Sequence, residues 1–509
     1  MIRSRTWTVV LLSISVFVIA ASLVAYARAP QTDEAHRASE ALTLLHDGHL
    51  GLSIVEARGT WLAGVDRHSY WVMPAYATFL SGVFAILPTS IMIMRAMSIA
   101  FGIVTLVSIY FFGKNLFGSR AIGAAALVIL AVSYDFANIA SNARADIMCV
   151  AFGWIGLALY VSLRHRSFSV ALLSANTSIA ISCLTHPYGG LFLLSLAIIV
   201  AAQDAKRLDV RAVLCAAAPY AIALVGWGLF ISEDPASWHR QFFGNIAAGR
   251  MSSLSHPVLA IVREVRERYL GYFSGFGVDV PRVFHLKLLV TLSYAAGVAY
   301  LITDRLRHKS TDRRQHFLLL APTALVAGSL AFFEGTKWYV YIIHLLPWLA
   351  LVVAVSAIDA WRRYPHTRRA IVAAAGVLAL LQIGIVAGYA WTNTFKNVYL
   401  PTVEYLRANS APNGTIIGGA EFAFRLGFGP QLRDDYRLGF FSHVKPTTFV
   451  LNSSYRDQIA QYRRSNPEIS EYVQRLLTSD CRKSYERGEY EVFLCDASTP
   501  AVVVDRGRK

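Results

Sequence analysis

Two adjacent carboxylates stand just after the first apolar run of the chain, in the segment Thr32-Asp33-Glu34-Ala35-His36. Apolar residues then recur at helical spacing as far as Gly48, which favours an amphipathic helix with both acids in its first turn. Neighbouring helical residues point about 100° apart, so these acids do not face each other as a glycosidase pair does. We expect at most one of them to take a proton from a reacting hydroxyl. The alternative is structural, because first-turn acids also favour the helix dipole.

Four further segments carry groups that could do chemistry. They contain Arg144 and Asp146 (segment 144–146), His186 (185–189), Lys337, Tyr339 and Tyr341 (334–341), and Arg250 in the basic loop 238–268. The corresponding structural alternatives are an anchoring ion pair, a turn histidine, an aromatic belt with a snorkelling lysine, and a basic surface helix beside lipid headgroups. Basic groups can also stabilise a departing phosphate, and arginine matches phosphate oxygens bidentately. Together with a carboxylate base, they suit group transfer from a lipid phosphate donor.

The composition indicates which elements must position these groups. Of the 509 residues, 55% are apolar and only 16% are charged, whereas about 25% are charged in soluble proteins. These proportions exclude intrinsic disorder and a typical soluble enzyme. Apolar runs of about 18 residues predict about eleven membrane-spanning helices. The runs lie near 6–27, 96–112, 121–140, 147–163, 168–185, 187–202, 212–232, 288–303, 317–333, 338–358 and 370–391.

The distribution of basic residues predicts the orientation in the membrane. The formal charge of +16 could indicate nucleic-acid binding. However, if the uncharged run 69–94 lies on the membrane surface and does not cross, 18 basic residues fall in short loops on one side of the membrane. Short loops rich in basic residues usually face the cytoplasm. The C-terminal segment adds a net charge of only +3, so nucleic acid is not an expected partner. We therefore expect a cytoplasmic N-terminus, with the candidate groups on the outer side of the inner (plasma) membrane.

The chain is expected to form a polytopic α-helical membrane domain and a small outer domain. The membrane domain covers residues 1–392, with outer loops 28–95 and 233–287, and the α/β soluble domain covers 393–509. In the latter, short strands are predicted at 415–418 and 448–451, and a helix at 467–477. Cys481 and Cys495 lie on the outer side in this topology, and we predict that they form a disulfide.

The order of these motifs along the chain resembles that of polyprenyl-phosphate-sugar-dependent glycosyltransferases of the GT-C fold. The chain is similar to glycosyltransferase family 39, which includes protein O-mannosyltransferases and the aminoarabinose transferases acting on lipid A. The resemblance covers residues 1–390, but the segment 71–74 lacks a basic residue that the family often has there. The motifs are Asp33-Glu34-Ala35-His36, Met73-Pro74-Ala75-Tyr76, Arg95, Gly102, Arg144-Ala145-Asp146, Thr185-His186-Pro187, Lys337-Trp338-Tyr339-Val340-Tyr341 and Pro347.

The resemblance implies an inverting transferase that moves a sugar from a polyprenyl monophosphate to an acceptor hydroxyl on the outer leaflet. Asp33 would be the general base, Glu34 would orient the helix or the acceptor, and Asp146 would be the second acid of the site. The implied donor and substrate contacts are Arg144, His186, Arg250, Lys337, Tyr339 and Tyr341. The family includes members with and without a metal, so a divalent metal at Asp33 and Asp146 stays open. The sugar also stays open, as does the acceptor, which could be a protein, a lipid or a polysaccharide.

Two other functions are compatible with a polytopic membrane protein. A lipid-linked sugar transporter or flippase would favour ionisable groups deep within the spans and pseudo-symmetric halves, and neither is evident in the sequence. A non-catalytic membrane scaffold would leave the charged groups near Asp33, Asp146 and Lys337 unexplained. The glycosyltransferase is therefore the preferred hypothesis.

Overall fold

The computed structural model describes residues 2–247, 254–276, 282–307 and 313–495. The chain forms two compact units. The first contains Met1–Ala25, Arg95–Glu233 and Asn245–Tyr389, and the second contains Tyr26–Met94, Asp234–Gly244 and Ala390–Lys509. The second unit thus joins the C-terminal segment to most of the first outer loop, a grouping that the sequence did not predict. The domain boundary at 392/393 stays a prediction.

Helices make up most of the described chain. Two segments with other helical geometry, the π-helical Glu264–Phe273 and the 3-10 turn Tyr339–His344, contribute to the candidate site. Numbered in chain order, the α-helices are α1 (Ile2–Ala27), α2 (Thr32–Asp47), α3 (Ala75–Phe84), α4 (Ile91–Leu116), α5 (Arg120–Ala131), α6 (Tyr134–Ala140), α7 (Ala145–Leu163), α8 (Phe168–Thr185), α9 (Gly189–Asp204), α10 (Val210–Glu233), α11 (Pro235–Asn245), α12 (Pro257–Arg263), α13 (Leu288–Arg307), α14 (Arg313–Phe333), α15 (Leu346–Arg363), α16 (Arg368–Thr392), α17 (Leu400–Asn409), α18 (Ala423–Leu426), α19 (Ser453–Ser465) and α20 (Pro467–Arg475).

Within the described ranges, nine helices are long and apolar enough to cross a membrane, or ten if α5 and α6 form one span. This confirms a polytopic membrane protein and differs from the predicted number of about eleven in two places. The predicted span 121–140 is broken into α5 and α6, which are bent by 71°. The predicted span 338–358 begins with a 3-10 turn, and the helix that follows, α15, ends in charged residues. Helix α15 is therefore not among the nine. The segment 69–94 contributes the ten-residue helix α3, whose length of about 15 Å is half the hydrocarbon thickness.

The break between α5 and α6 has its backbone groups satisfied by side chains. Ser133 accepts a hydrogen bond from the Phe136 N–H at 3.3 Å, and Gln382 of α16 accepts one from the Tyr134 N–H at 2.8 Å. Because lipid offers no hydrogen-bond partners, such contacts are required where a helix breaks at membrane depth. The short helix α6 therefore places Asp135 in the interior of the first unit, at 0% exposure.

Close packing of α7 against α8 determines the position of the candidate residues at their ends. Ser182 donates a hydrogen bond to the Cys149 carbonyl at 2.7 Å, and Ser178 donates one to the Phe152 carbonyl at 2.6 Å. This antiparallel register places the beginning of α7 beside the end of α8. At the following turn a Cβ on Gly189 would lie 2.4 Å from the Cys183 nitrogen, so only glycine fits there.

Among the described residues of the C-terminal segment is a five-stranded sheet with the order β2-β1-β3-β5-β4. Strand β1 is parallel to β2 and β3, whereas β5 is antiparallel to β3 and β4. The predicted strands correspond to β1 and β3, and the predicted helix to α20, which confirms a small α/β region. A disulfide joins Cys481 and Cys495 beside β4 and β5. The strands are β1 (Ile416–Ile417), β2 (Leu432–Arg433), β3 (Thr448–Leu451), β4 (Arg482–Arg487) and β5 (Tyr490–Leu494).

Candidate active site

The first turn of α2 gives its two adjacent acids different environments. Glu34 is fully buried, and its Oε2 accepts a hydrogen bond from the Gln31 N–H at 2.9 Å. Glu34 therefore satisfies a backbone donor at the helix N-terminus. Asp33, by contrast, is half-buried. That at most one of the two acids touches a reacting group stays a prediction.

In the first unit, Arg144, Asp146 and His186 lie together where α7 begins and α8 ends. Arg144 Nε donates a hydrogen bond to Asp146 Oδ2 at 2.9 Å, and His186 Nε2 lies 4.0 Å from Asp146 Oδ1. His186 Nδ1 accepts from the Tyr188 N–H at 3.2 Å, which assigns the proton of a neutral imidazole to Nε2, the nitrogen facing Asp146. The carboxylate thus orients the guanidinium through one oxygen, while its other oxygen faces the imidazole without a hydrogen bond to any described residue.

Aromatic rings surround this charged group. The ring of Tyr341, which is 2% exposed, lies 5.6 Å from the ring of His186 and 5.1 Å from that of Tyr188. Tyr341 also forms a hydrogen bond with Arg144, whose guanidinium carbon lies 5.9 Å from the Trp338 ring centre. Apolar surroundings of this kind lower the local dielectric constant, which strengthens electrostatic interactions of Arg144 with neighbouring charges.

His344 is a further member of this group that the sequence reasoning missed. Its ring lies 5.8 Å from that of His186, and its side chain is completely buried. Neither ring nitrogen has a hydrogen-bond partner among the described residues. A usable signal was present, because His344 falls inside the predicted span 338–358, where an ionisable residue itself indicates a functional site.

Lys337 lies in the loop that leads to Tyr341, and it is buried with its ammonium engaged by protein groups. Its φ of 56° is in the left-handed region, which is uncommon for residues other than glycine. Nζ donates to the Ala331 carbonyl at 2.6 Å, at the end of α14, and lies 3.3 Å from Glu264 Oε2. Burial lowers the pKa of Lys337 below its ordinary value, although attraction to Glu264 opposes the shift. Direct contact of Lys337 with a donor phosphate stays a prediction.

Tyr339 bonds to a different buried pair. Its hydroxyl donates to Asp135, which also forms an ion pair with Lys287. The Lys287 ammonium lies 4.3 Å from the ring centre of Phe273 and 5.3 Å from that of Tyr339. Sequence reasoning missed Asp135 and Lys287, although Asp135 falls inside the predicted span 121–140. The pair holds α6 against the segment before α13.

The structure therefore brings together Arg144, Asp146, His186 and Tyr341, with Lys337 in the adjoining loop. Asp33 belongs to the second unit, and a cavity shared by Asp33, Asp146 and Lys337 stays a prediction. Arg250 lies outside the described residues. Over the described ranges, no group of three or more His, Cys, Asp and Glu side chains is arranged to hold a metal ion. A divalent metal at Asp33 and Asp146 stays an open prediction.

Comparison with known proteins identifies the fold. The chain matches no protein-family model and no curated protein sequence. The structure of ArnT from Cupriavidus metallidurans bound to undecaprenyl phosphate is similar, with a TM-score of 0.62 and 14% identity, over 96% of this chain and 98% of that one. The apo oligosaccharyltransferase of Archaeoglobus fulgidus gives a TM-score of 0.55 at 12% identity, over 96% of this chain and 75% of that one.

A second structure of the archaeal protein, AglB in complex with an inhibitory peptide and a dolichol-phosphate, gives a TM-score of 0.52 at 12% identity. It covers 96% of this chain and 75% of that one. These proteins are glycosyltransferases of the GT-C fold. The chain therefore has the GT-C fold, as the order of its motifs predicted.

Proposed function

We propose that this protein is a membrane glycosyltransferase that moves a sugar from a polyprenyl-phosphate donor to an acceptor hydroxyl, with inversion at the anomeric carbon. The observation that carries the proposal is the fold match along almost the whole length of both chains to ArnT, whose structure contains undecaprenyl phosphate. The acceptor is a lipid, a polysaccharide or a protein, and the sugar is a hexose or a pentose.

In the proposed reaction Asp33 is the general base. The acceptor oxygen attacks the anomeric carbon while the bond from that carbon to the phosphate oxygen breaks, and the hydroxyl proton passes to the Asp33 carboxylate. The electron pair of the broken bond leaves with the polyprenyl phosphate, which gains one negative charge. The half-buried position of Asp33 supports this role, and the buried contact of Glu34 supports a role in fixing the helix turn.

We assign stabilisation of the departing phosphate to Arg144, with help from Tyr341 and His186. Asp146 holds the Arg144 guanidinium at 2.9 Å, so the charge is already oriented when the phosphate develops its own. A pre-oriented cation among apolar rings stabilises a developing anion without reorganisation. Lys337, Tyr339 and Arg250 remain predicted contacts of the donor or the substrate.

The proposed orientation places this chemistry on the outer face of the inner membrane, with the N-terminus in the cytoplasm and the C-terminal domain in the periplasm. It is supported by the 18 basic residues that the sequence places in short loops on the opposite side. Accessibility of single introduced cysteines to a membrane-impermeant reagent in whole cells would test this orientation independently of activity.

The transfer reaction is tested with the purified full-length protein in lipid nanodiscs. A panel of polyprenyl-phosphate sugars is offered with membrane acceptor fractions, and release of free polyprenyl phosphate is measured. Asp33→Asn is expected to lower the rate by about 100- to 10,000-fold, the usual contribution of a general base. Asp47→Asn is the matched control, because Asp47 is an exposed acid at the other end of α2. Absence of transfer by the unmodified protein would refute the transferase, and full activity of Asp33→Asn would refute the base.

A further inference from the structure

The first two turns of α2 are held by two carboxylates of the C-terminal segment, all within the second unit. Thr32 Oγ1 donates a hydrogen bond to Glu421 Oε2 at 2.7 Å, and His36 Nε2 lies 2.8 Å from Asp434 Oδ2. Thr32 and His36 are four residues apart and therefore share one face of the helix. The helix that carries Asp33 is thus bound at two points, one turn apart.

The two carboxylates are themselves fixed within the C-terminal segment. Glu421 is 2% exposed, and its Oε1 accepts a hydrogen bond from Asn452 Nδ2 at 3.0 Å. Asp434 is also buried, and its Oδ1 accepts from the Tyr455 hydroxyl at 2.8 Å. Each carboxylate has one oxygen bonded to α2 and the other bonded to a side chain of the C-terminal segment. Movement of α2 relative to that segment would therefore break a hydrogen bond to a buried carboxylate, which is unfavourable.

The same part of the domain also holds the chain that follows α2. The Asp434 N–H donates to the Ile54 carbonyl at 2.8 Å, and its carbonyl accepts from the Glu56 N–H at 3.0 Å. On the helix itself, Ala35 belongs to a buried apolar cluster with Phe422 and Val450 of the C-terminal segment. Polar and apolar contacts therefore restrain both the rotation and the tilt of α2.

The restraining residues Thr32 and His36 flank the position of Asp33 on α2. Successive helical residues differ by about 100°, so Asp33 lies beside, rather than on, the line through Thr32 and His36. We propose that Glu421 and Asp434 are positioning residues that fix the first turn of α2 and so orient Asp33 for proton transfer. The proposal rests on the proposed function of Asp33, and it gives the C-terminal segment a part in the reaction.

The proposal is tested in the full-length protein with Thr32→Val, which removes the hydroxyl at similar volume, and with Asp434→Ala. Both variants are expected to lower kcat by at least about tenfold with little change in the donor KM, because a misplacement of 1 Å can cost about 100-fold in rate. Thr32→Ser keeps the hydroxyl and should restore kcat. Ser484→Ala is the matched control, since Ser484 is a buried residue of β4 that donates to the Val492 carbonyl at 3.2 Å and has no part in these contacts.

Hydrogen exchange gives a second reading that does not depend on activity. A peptide covering the first two turns of α2 should exchange faster in Thr32→Val and Asp434→Ala than in the unmodified protein, and unchanged in Ser484→Ala. Unchanged exchange, or faster exchange with full kcat, overturns the positioning role. Failure of the proposed function has a different signature in the transfer assay: the unmodified protein would transfer no sugar, or Asp33→Asn would remain active. In either of those cases the proposed positioning role of Glu421 and Asp434 is refuted together with the proposed function.

Discussion

Arg268 and Glu334 form an ion pair in which neither side chain is exposed, with Nη2 2.7 Å from Oε2. The same guanidinium donates through Nε to Glu264 Oε1 at 2.6 Å, and through Nη1 to the Trp338 carbonyl. The pair therefore joins the π-helical segment after α12 to the loop after α14. Because this loop leads directly to Tyr341, the buried pair supports the position of Tyr341 beside Arg144.

Replacing Arg268 with methionine should strongly destabilise the first unit. Glu264 and Glu334 would remain buried without their guanidinium partner, and removal of one member of a buried pair costs about 3–5 kcal/mol. Arg263→Met is the control, because the Arg263–Glu267 pair is more than one-third exposed and such pairs contribute about 0–1 kcal/mol. Thermal unfolding in detergent measures both. Equal melting temperatures for Arg268→Met and the unmodified protein would contradict the importance of the pair.

Stability should depend on pH through Glu421. Burial raises the pKa of this carboxyl from its ordinary value of 4.5 to about 7. Between these values the folded protein keeps a proton that the unfolded chain has lost, so the free energy of unfolding falls as pH rises. Each pH unit between the two pKa values lowers the free energy of unfolding by about 1.4 kcal/mol. The total decrease, roughly 3 kcal/mol, is complete above about pH 7.

Glu421→Gln isolates this effect, because the amide cannot ionise. Unfolding of the two proteins is followed between pH 4 and 8 in the same detergent, so that all other titrating groups contribute equally. The variant should lose less stability than the unmodified protein as pH rises through the stated window. Parallel curves would show that the Glu421 carboxyl does not titrate there.

Local patterns in the sequence predicted much of the fold, because the length of an apolar run and its turn residues are local properties. They placed the first turn of α2 and the turn at His186. Partners of ionised groups could not be predicted in this way. Thr32 meets Glu421 across 389 positions, and Lys287 meets Asp135 across 152. Such pairs depend on the packing of whole elements, and no spacing rule connects their members.

The Cys481–Cys495 disulfide should leave three cysteines with free thiols, Cys149, Cys183 and Cys215. Alkylation of the denatured protein without reductant is therefore expected to add three labels by mass, and alkylation after reduction five. Replacing both partners with alanine should lower the free energy of unfolding by about 3 kcal/mol, the loop-entropy value for a closed loop of about 15 residues. Five labels without reductant would contradict the bond.

Helix α7 has an Arg–Asp pair at each end, which provides an internal comparison for the proposed phosphate contact. Arg144 Nε lies 2.9 Å from Asp146 Oδ2, and Arg164 Nη1 lies 2.7 Å from Asp204 Oδ2. The planar guanidinium of arginine can bond a carboxylate and a phosphate at the same time, whereas the ammonium of lysine lacks this planar set of donors. Arg144→Lys is therefore expected to lower kcat/KM for the donor by about 10- to 100-fold, the equivalent of one hydrogen bond to a charged group.

Arg164→Lys makes the same chemical change at the opposite end of the same helix, so it reports any general effect on α7. We expect it to leave kcat/KM for the donor within about twofold while it changes the melting temperature by an amount similar to Arg144→Lys. A loss of activity as large as that of Arg144→Lys would assign the effect to the stability of α7. In that case the contact between Arg144 and the donor phosphate would be wrong.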